Sequence, residues 1–224
     1  GEAPPAARGL GQPSISHDGK SAAVYFKSGD KSWEIGLISL ETGAYRKVLE
    51  QVFQIGHIQH SYAEPLIFYT WETSGYAPQR TWLVNADGTG NRPFYAAIDP
   101  KTWLTPLKEW ITHEAWIPGT RDMTMNFDKY GILRVTPDGP ARVITRGHYW
   151  HAHATADGKQ LIADDFDGRL WLIDGATGEA RLLASNLRKP GEPHLHPSID
   201  PTGTWAVTNT VRNGRPSVAV IRLR

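Results

Sequence analysis

The chain has 224 residues, with 24 basic and 23 acidic side chains and no cysteine. That length is one large domain or two small ones. The balanced charge argues against a nucleic-acid partner, and the missing thiols exclude disulfides and thiolate metal sites. No apolar run approaches the roughly 20 residues of a membrane helix, and the opening GEAPPAARGLGQ lacks the basic-then-apolar pattern of a signal peptide.

Taken in chain order, one unit recurs. SISHDGKSAAVYF (14–26) is a short extended run, a turn with Asp and Gly, then a strand expected to alternate apolar and polar residues. SWEIGLISLETG (32–43) follows as an apolar/polar alternation closed by turn residues, which predicts a half-buried strand. The same pair returns as HSYAEPLIFYTW (60–71) with QRTWLVNADGTG (79–90), and as AWIPGTRDMTMN (115–126) with KYGILRVTPDG (129–139). It returns again as HATADGKQLIADD (153–165) with GRLWLIDGATG (168–178), and as PSIDPTGTWAVTN (197–209) with RPSVAVIRLR (215–224). A further strand follows most units, as in AYRKVLE, ARVITRG and ARLLASN.

No helical period competes with this pattern. Repeats of about 40 to 45 residues made of four strands predict an all-β chain, a β-propeller of four-stranded antiparallel blades. Five repeats are visible, starting near residues 12, 57, 113, 151 and 196, in one propeller domain over 1–224. The fifth stops after its third strand. The segment YAAIDPKTWLTPLKEW (95–110) interrupts the second repeat as a loop or a crossover. The nine tryptophans and eight tyrosines are expected mainly as packing between blades.

The turn after the first strand serves as a ruler. Six residues before its Asp position lie Gln12, His57, His113, His151 and His196. The chain has nine histidines in all, so four at one repeat position point to a ring of imidazoles at one end of a central channel. Such groups ligate a metal or carry protons. His194 is two residues before His196 and shares its direction on an extended strand. With His151 these make a three-nitrogen site suited to Mn, Zn, Ni or Fe. His153 has the same relation to His151 and is a weaker candidate, for substrate binding with His57 and Gln12. His60 and His148 read as loop residues. The acidic run DDFDG (164–168) reads as a solvated turn.

The segments GHIQHSYAEPLIFYTWE (56–72), QRTWLVNADGTGNRPFY (79–95), EWITHEAWIPG (109–119), HAHATADGKQLIADD (151–165) and HLHPSIDPTGTWAVTNT (194–210) together resemble the oligogalacturonate lyases, pectin-degrading β-propeller enzymes. The resemblance implies seven blades, a manganese ion at one end of the channel, and β-elimination of short oligogalacturonates, chiefly the disaccharide. It implies a cytoplasmic location, with the periplasm as the alternative. It gives His113 the role of base and Arg80 that of neutralising the uronate carboxylate, and it puts the metal on His151, His194 and His196. Arg80 also has a plain reading, as the partner of an acidic neighbour.

Two departures stand out. The chain shows five repeats, and Gly191 occupies the position of the family's glutamine ligand. Glu192 is adjacent, but one residue along a strand reverses the side-chain direction. The competing readings are a TolB-like or WD40-like binding propeller without chemistry and a lyase for another uronic-acid oligosaccharide.

Overall fold

The computed structural model describes residues 10–73, 77, 79–95, 110–128, 130–189 and 191–223. Among them there are nineteen strands and no helix, and every pairing is antiparallel. Most of the segment expected as a loop or crossover, 96–109, lies outside the described residues. The strands divide between two compact units, Gly1–Glu109 and Trp110–Arg224.

The first unit holds two four-stranded sheets. One runs β1 (Ser14–Ile15), β2 (Ser21–Lys27), β3 (Trp33–Ser39), β4 (Tyr45–Gln51), and the other β5 (Ile55–His60), β6 (Leu66–Trp71), β7 (Thr81–Asn85), β8 (Arg92–Pro93). The second unit holds three sheets. They are β9 (Ile111–Trp116) to β12 through β10 (Met123–Phe127), β11 (Gly131–Val135) and β12 (Ala141–Thr145); β13 (Tyr149–Ala154), β14 (Gln160–Asp165), β15 (Leu170–Asp174), β16 (Ala180–Ala184); and β17 (Ser198–Ile199), β18 (Trp205–Arg212), β19 (Arg215–Arg222). Strands are sequential neighbours in every sheet. Each sheet opens within two residues of a repeat start read from the sequence, and the fifth has three strands.

The second strands differ from the expected alternation. β6 and β10 are buried at every position but the last, and β14 at every position but the first. The cause is coverage on both faces. Ile67 and Tyr69 pack with Ile35 and Leu37 of the neighbouring sheet in the first unit. In the second, Leu161 and Ala163 pack with Ile117 and Ile132 on one side, while Ile162 packs with Ile199 and Ala206 on the other. A strand covered twice reads as a continuous apolar run. The fourth strands face solvent, and β12 and β16 are mostly exposed or half-buried.

The first strands are irregular where the ruler placed histidine. Register shifts fall between Gly56 and Gln59 of β5, opposite β9 between Thr124 and Asn126, and between Tyr149 and Ala152 of β13. His57, His113 and His196 have φ of 44°, 53° and 43°. A left-handed backbone costs a non-glycine residue roughly 1–3 kcal/mol. Bulges of this kind re-aim a side chain, and here they recur at one repeat position.

The turns between third and fourth strands have a packing duty. Gly88 (φ 93°) and Gly178 (φ 76°) follow β7 and β15, and each lies against the outer strand of the preceding sheet. An added Cβ would stand 2.7 Å from the Val48 carbonyl oxygen at Gly88 and 2.1 Å from that of Ile144 at Gly178. Gly214 (φ 72°) sits in the Asn-Gly turn joining β18 to β19, where a Cβ would meet nothing within 4 Å. Gly214→Ala therefore carries only the backbone penalty, on the order of 1 kcal/mol. Gly178→Ala adds a backbone overlap, so chemical denaturation should show a clearly larger loss for it. Equal losses would mean that the sheets do not depend on that close approach.

Candidate metal centre

Three histidines of the second unit converge. His151 lies in the bulge of β13, and His194 and His196 lie in the segment before β17. Their ligating nitrogens all fall within 4.8 Å of one another. The segment carrying His194 and His196 is not a strand, and the positive φ of His196 breaks the alternation expected there. The two rings nonetheless stand 5.6 Å apart and 20° from parallel. His113, at the bulge of β9, packs its ring 4.0 Å from that of His151 and 6.3 Å from that of His196.

His151 is oriented by Asp164 on the next strand. The carboxylate accepts the backbone N–H of His151 at 2.7 Å, and its two oxygens lie 2.9 and 3.0 Å from Nδ1. Asp164 is fully buried. With the Nδ1 proton directed at Asp164, Nε2 presents its lone pair. That atom is buried and has no hydrogen-bond partner among the described residues. A buried nitrogen without a partner costs about 1–3 kcal/mol, and this one, with His194 and His196, could hold a cation. The carboxylate behind it is the usual support of a metal-binding imidazole.

The electrostatics agree with ligation. Burial, reinforced by His196, His194 and Arg188, drives His151 down to about 3. Burial also lowers His194 and His196. The imidazoles are therefore neutral, as ligands must be. Burial pushes Asp164 up to about 7. The residues present fit a divalent cation with open coordination, since three protein nitrogens leave room for a further ligand.

Several expectations change. The acidic run is not a solvated turn, because Asp164 and Asp165 are buried on β14 and only Asp167 is exposed. Asp165 accepts from Arg169 Nε at 2.6 Å and Trp171 Nε1 at 2.8 Å. His60 is not a loop residue. It ends β5, is 2% exposed, and burial takes it down to about 4. His148 does lie between strands, 2.8 Å from Asp128. His153 does not join the triad. Its Nδ1 accepts the Ile199 N–H at 3.3 Å and ties β13 to β17. The bulge turns His151 out of the strand's alternation, so the two-residue rule fails there. Glu192 does not replace the missing ligand either, because its carboxylate accepts the Lys189 N–H at 2.6 Å. At Gly191 a Cβ would meet nothing within 4 Å.

Gln12, His57 and Arg80 belong to the first unit. Gln12 is exposed ahead of β1. Arg80 is buried, and Glu72 lies 3.6 Å from its Nη2 and 3.8 Å from His57 Nε2. The acidic neighbour foreseen for Arg80 is thus present.

The sequence reading missed Trp150 and Arg188. The Trp150 ring lies 3.7 Å from that of His194 and stacks at 4.5 Å on Phe166, with the Arg188 guanidinium 5.2 Å from its centre. No motif flags these two. Asp164 had a signal, as it sits seven residues after Asp157, at the repeat position of Thr70 and Asn126, both buried.

No protein-family model and no curated protein matches the chain. Solved structures do. An oligogalacturonate lyase from Vibrio parahaemolyticus superposes with a TM-score of 0.85 at 17% identity, over 99% of this chain and 68% of that one. An oligogalacturonate lyase in complex with manganese gives 0.84 at 18% identity, over 100% and 67%. TolB from Acinetobacter baumannii gives 0.65 at 16%, over 96% and 52%. The chain spans about two thirds of the length of those lyases. At such identities the likeness defines the fold, which is that of the β-propellers.

Asp164→Ala should remove the acceptor of a buried N–H and of the His151 ring, with an expected loss of about 1–3 kcal/mol in urea unfolding. Asp164→Asn keeps an oxygen for the backbone N–H and should lose less. Wild-type stability in Asp164→Ala would show that the pair does not hold the bulge.

Proposed function

We propose that the chain is a divalent-metal-dependent lyase that cleaves short oligogalacturonates by β-elimination, with manganese as the cation. The observation that carries this reading is the buried, unpartnered Nε2 of His151, converging with His194 and His196 beside the His113 ring. The superposition on the two lyases supports it.

His151, His194 and His196 would hold the cation, and Asp164 keeps His151 in the tautomer that presents Nε2. The cation, when bound, neutralises a uronate carboxylate and so acidifies the neighbouring C5 hydrogen. His113 takes that proton. A neutral imidazole is matched to this task near neutral pH. The C5 electron pair forms the C4–C5 double bond, the C4–oxygen bond breaks, and the leaving oxygen takes a proton from solvent. No water attacks carbon, so the paired carboxylates of a glycoside hydrolase are not needed. Arg80 enters only through the resemblance, as a second group for the carboxylate. Its guanidinium fork suits that role.

The test is the ultraviolet absorbance of the unsaturated product, with digalacturonate and manganese. We expect a rise that a chelator abolishes and that His113→Ala lowers by about 10²–10⁴-fold. His196→Ala should remove the dependence on metal together with the activity. Bound metal without product would move the proposal to another uronate. Neither metal nor product would leave a partner-binding propeller.

A further inference from the structure

Arg188 lies in the segment between β16 and β17 that also carries His194 and His196. Its Nη2 donates to the Glu192 carbonyl at 3.2 Å, and its charge rests over Trp150. Among the described residues no carboxylate lies within ion-pair distance, and Nε is buried without a hydrogen-bond partner. Two other arginines of this unit are ion-paired, Arg134 with Asp122 and Arg169 with Asp165 and Asp167. Arg188 is thus a partly buried guanidinium held by an aromatic face and one neutral acceptor.

Its position is at odds with cation binding alone. Trp150, on which it stacks, touches His194 and stacks with His151 at 5.3 Å. The Arg188 charge bears on both histidines. A fixed positive charge there opposes a divalent cation on the triad, and partial burial limits screening by salt. An anion reverses the sign. A carboxylate between the cation and the guanidinium is attracted by both, and an arginine fork is shaped to bind one. Glu192 accepts from the Lys189 N–H, and a Cβ at Gly191 would meet nothing within 4 Å.

We propose that Arg188 and the three histidines form one carboxylate subsite, in which Arg188 makes cation binding and uronate binding depend on each other. This rests on the metal centre of the preceding reading and adds a residue that neither the repeat pattern nor the resemblance supplied. Arg188 weakens the cation site when it is empty of substrate and strengthens it when a uronate is bound.

The experiment is a titration with Co²⁺, read by its visible absorption, with and without galacturonate. The monosaccharide has no glycosidic bond at C4 to eliminate, so no turnover intervenes. In the wild-type chain, saturating galacturonate should tighten Co²⁺ binding by roughly five- to a hundredfold, and neutral galactose should not. Arg188→Gln should bind Co²⁺ alone as tightly as wild type or more so, with the galacturonate effect falling to about onefold. Arg188→Lys keeps the charge without the fork and should retain only part of the effect, which preserves the test if the glutamine variant does not fold. A full galacturonate effect in both variants overturns the proposal. So does an equal weakening of Co²⁺ binding with and without the sugar, which would make Arg188 a support of its loop. A wild-type chain that binds no Co²⁺ overturns the metal centre itself, and this inference with it.

Discussion

Asp164 accepts the backbone N–H and faces the Nδ1 of His151, and both fold and site depend on that pair. A bulge leaves backbone groups outside the ladder, and a buried one must find another partner. Here the next strand supplies a carboxylate that satisfies the bulge and fixes the ring in the same contact. The equivalent residues of other sheets do not. Thr70 and Asn126 are buried opposite the bulges of β5 and β9, and their side-chain polar atoms have no hydrogen-bond partner among the described residues. In those sheets the histidine, His57 or His113, has a left-handed backbone. His151 has none, and its opposite residue is bonded. The repeat thus offers one architecture with two outcomes, and the carboxylate selects the outcome that orients a ring.

The fold was legible because its signals are local. A short strand, a turn and an apolar strand recur in five units whose starts lie about 38 to 56 residues apart, and the sheets follow them. The second strands were misread as alternating because coverage of both faces is a tertiary fact that a single strand's pattern does not carry. The triad was legible by a different route. Repeat equivalence converts sequence position into spatial position, and it brought His113, His151 and His196 together before any coordinates. His194 came from its neighbour. That route was followed only at the histidine position. Asp164 looked like turn chemistry because acidic residues at strand ends usually are solvated. Arg188 lies in an irregular segment, where spacing has no meaning. His153 was included on a two-residue rule that the bulge suspends.

The charges around the triad form a consistent set. Three neutral imidazoles bring no charge to a cation, Asp164 is engaged behind one of them, and Glu192 is turned to its own loop. Arg188 adds a positive charge at the edge. A structural metal site closes its coordination with protein ligands and compensates the ion's charge. Three nitrogens without a committed carboxylate in contact leave both tasks to something else, and an anionic ligand performs both. The aromatic packing is compatible with this. Trp150 is held between Phe166 and the histidines His151 and His194, so it acts as a floor for Arg188 and His194 more than as a free sugar platform.

A comparison of two buried histidines shows why burial alone does not define the site. His60 and His151 are both removed from solvent, and burial drives both well below the ordinary imidazole range. Among the described residues neither ring nitrogen of His60 meets a hydrogen-bond partner at normal geometry, so no carboxylate fixes its tautomer from behind. It fills space at the end of β5 at the cost of two unmet polar atoms. His151 loses the same solvation, but an ionised Asp164 can only accept a proton from Nδ1, which leaves the lone pair on Nε2, within 4.8 Å of the ligating nitrogens of His194 and His196. A ligand needs a lone pair with a direction, and direction is supplied from behind the ring. The carboxylate on β14, more than the count of histidines, is what makes a chemical site of the convergence.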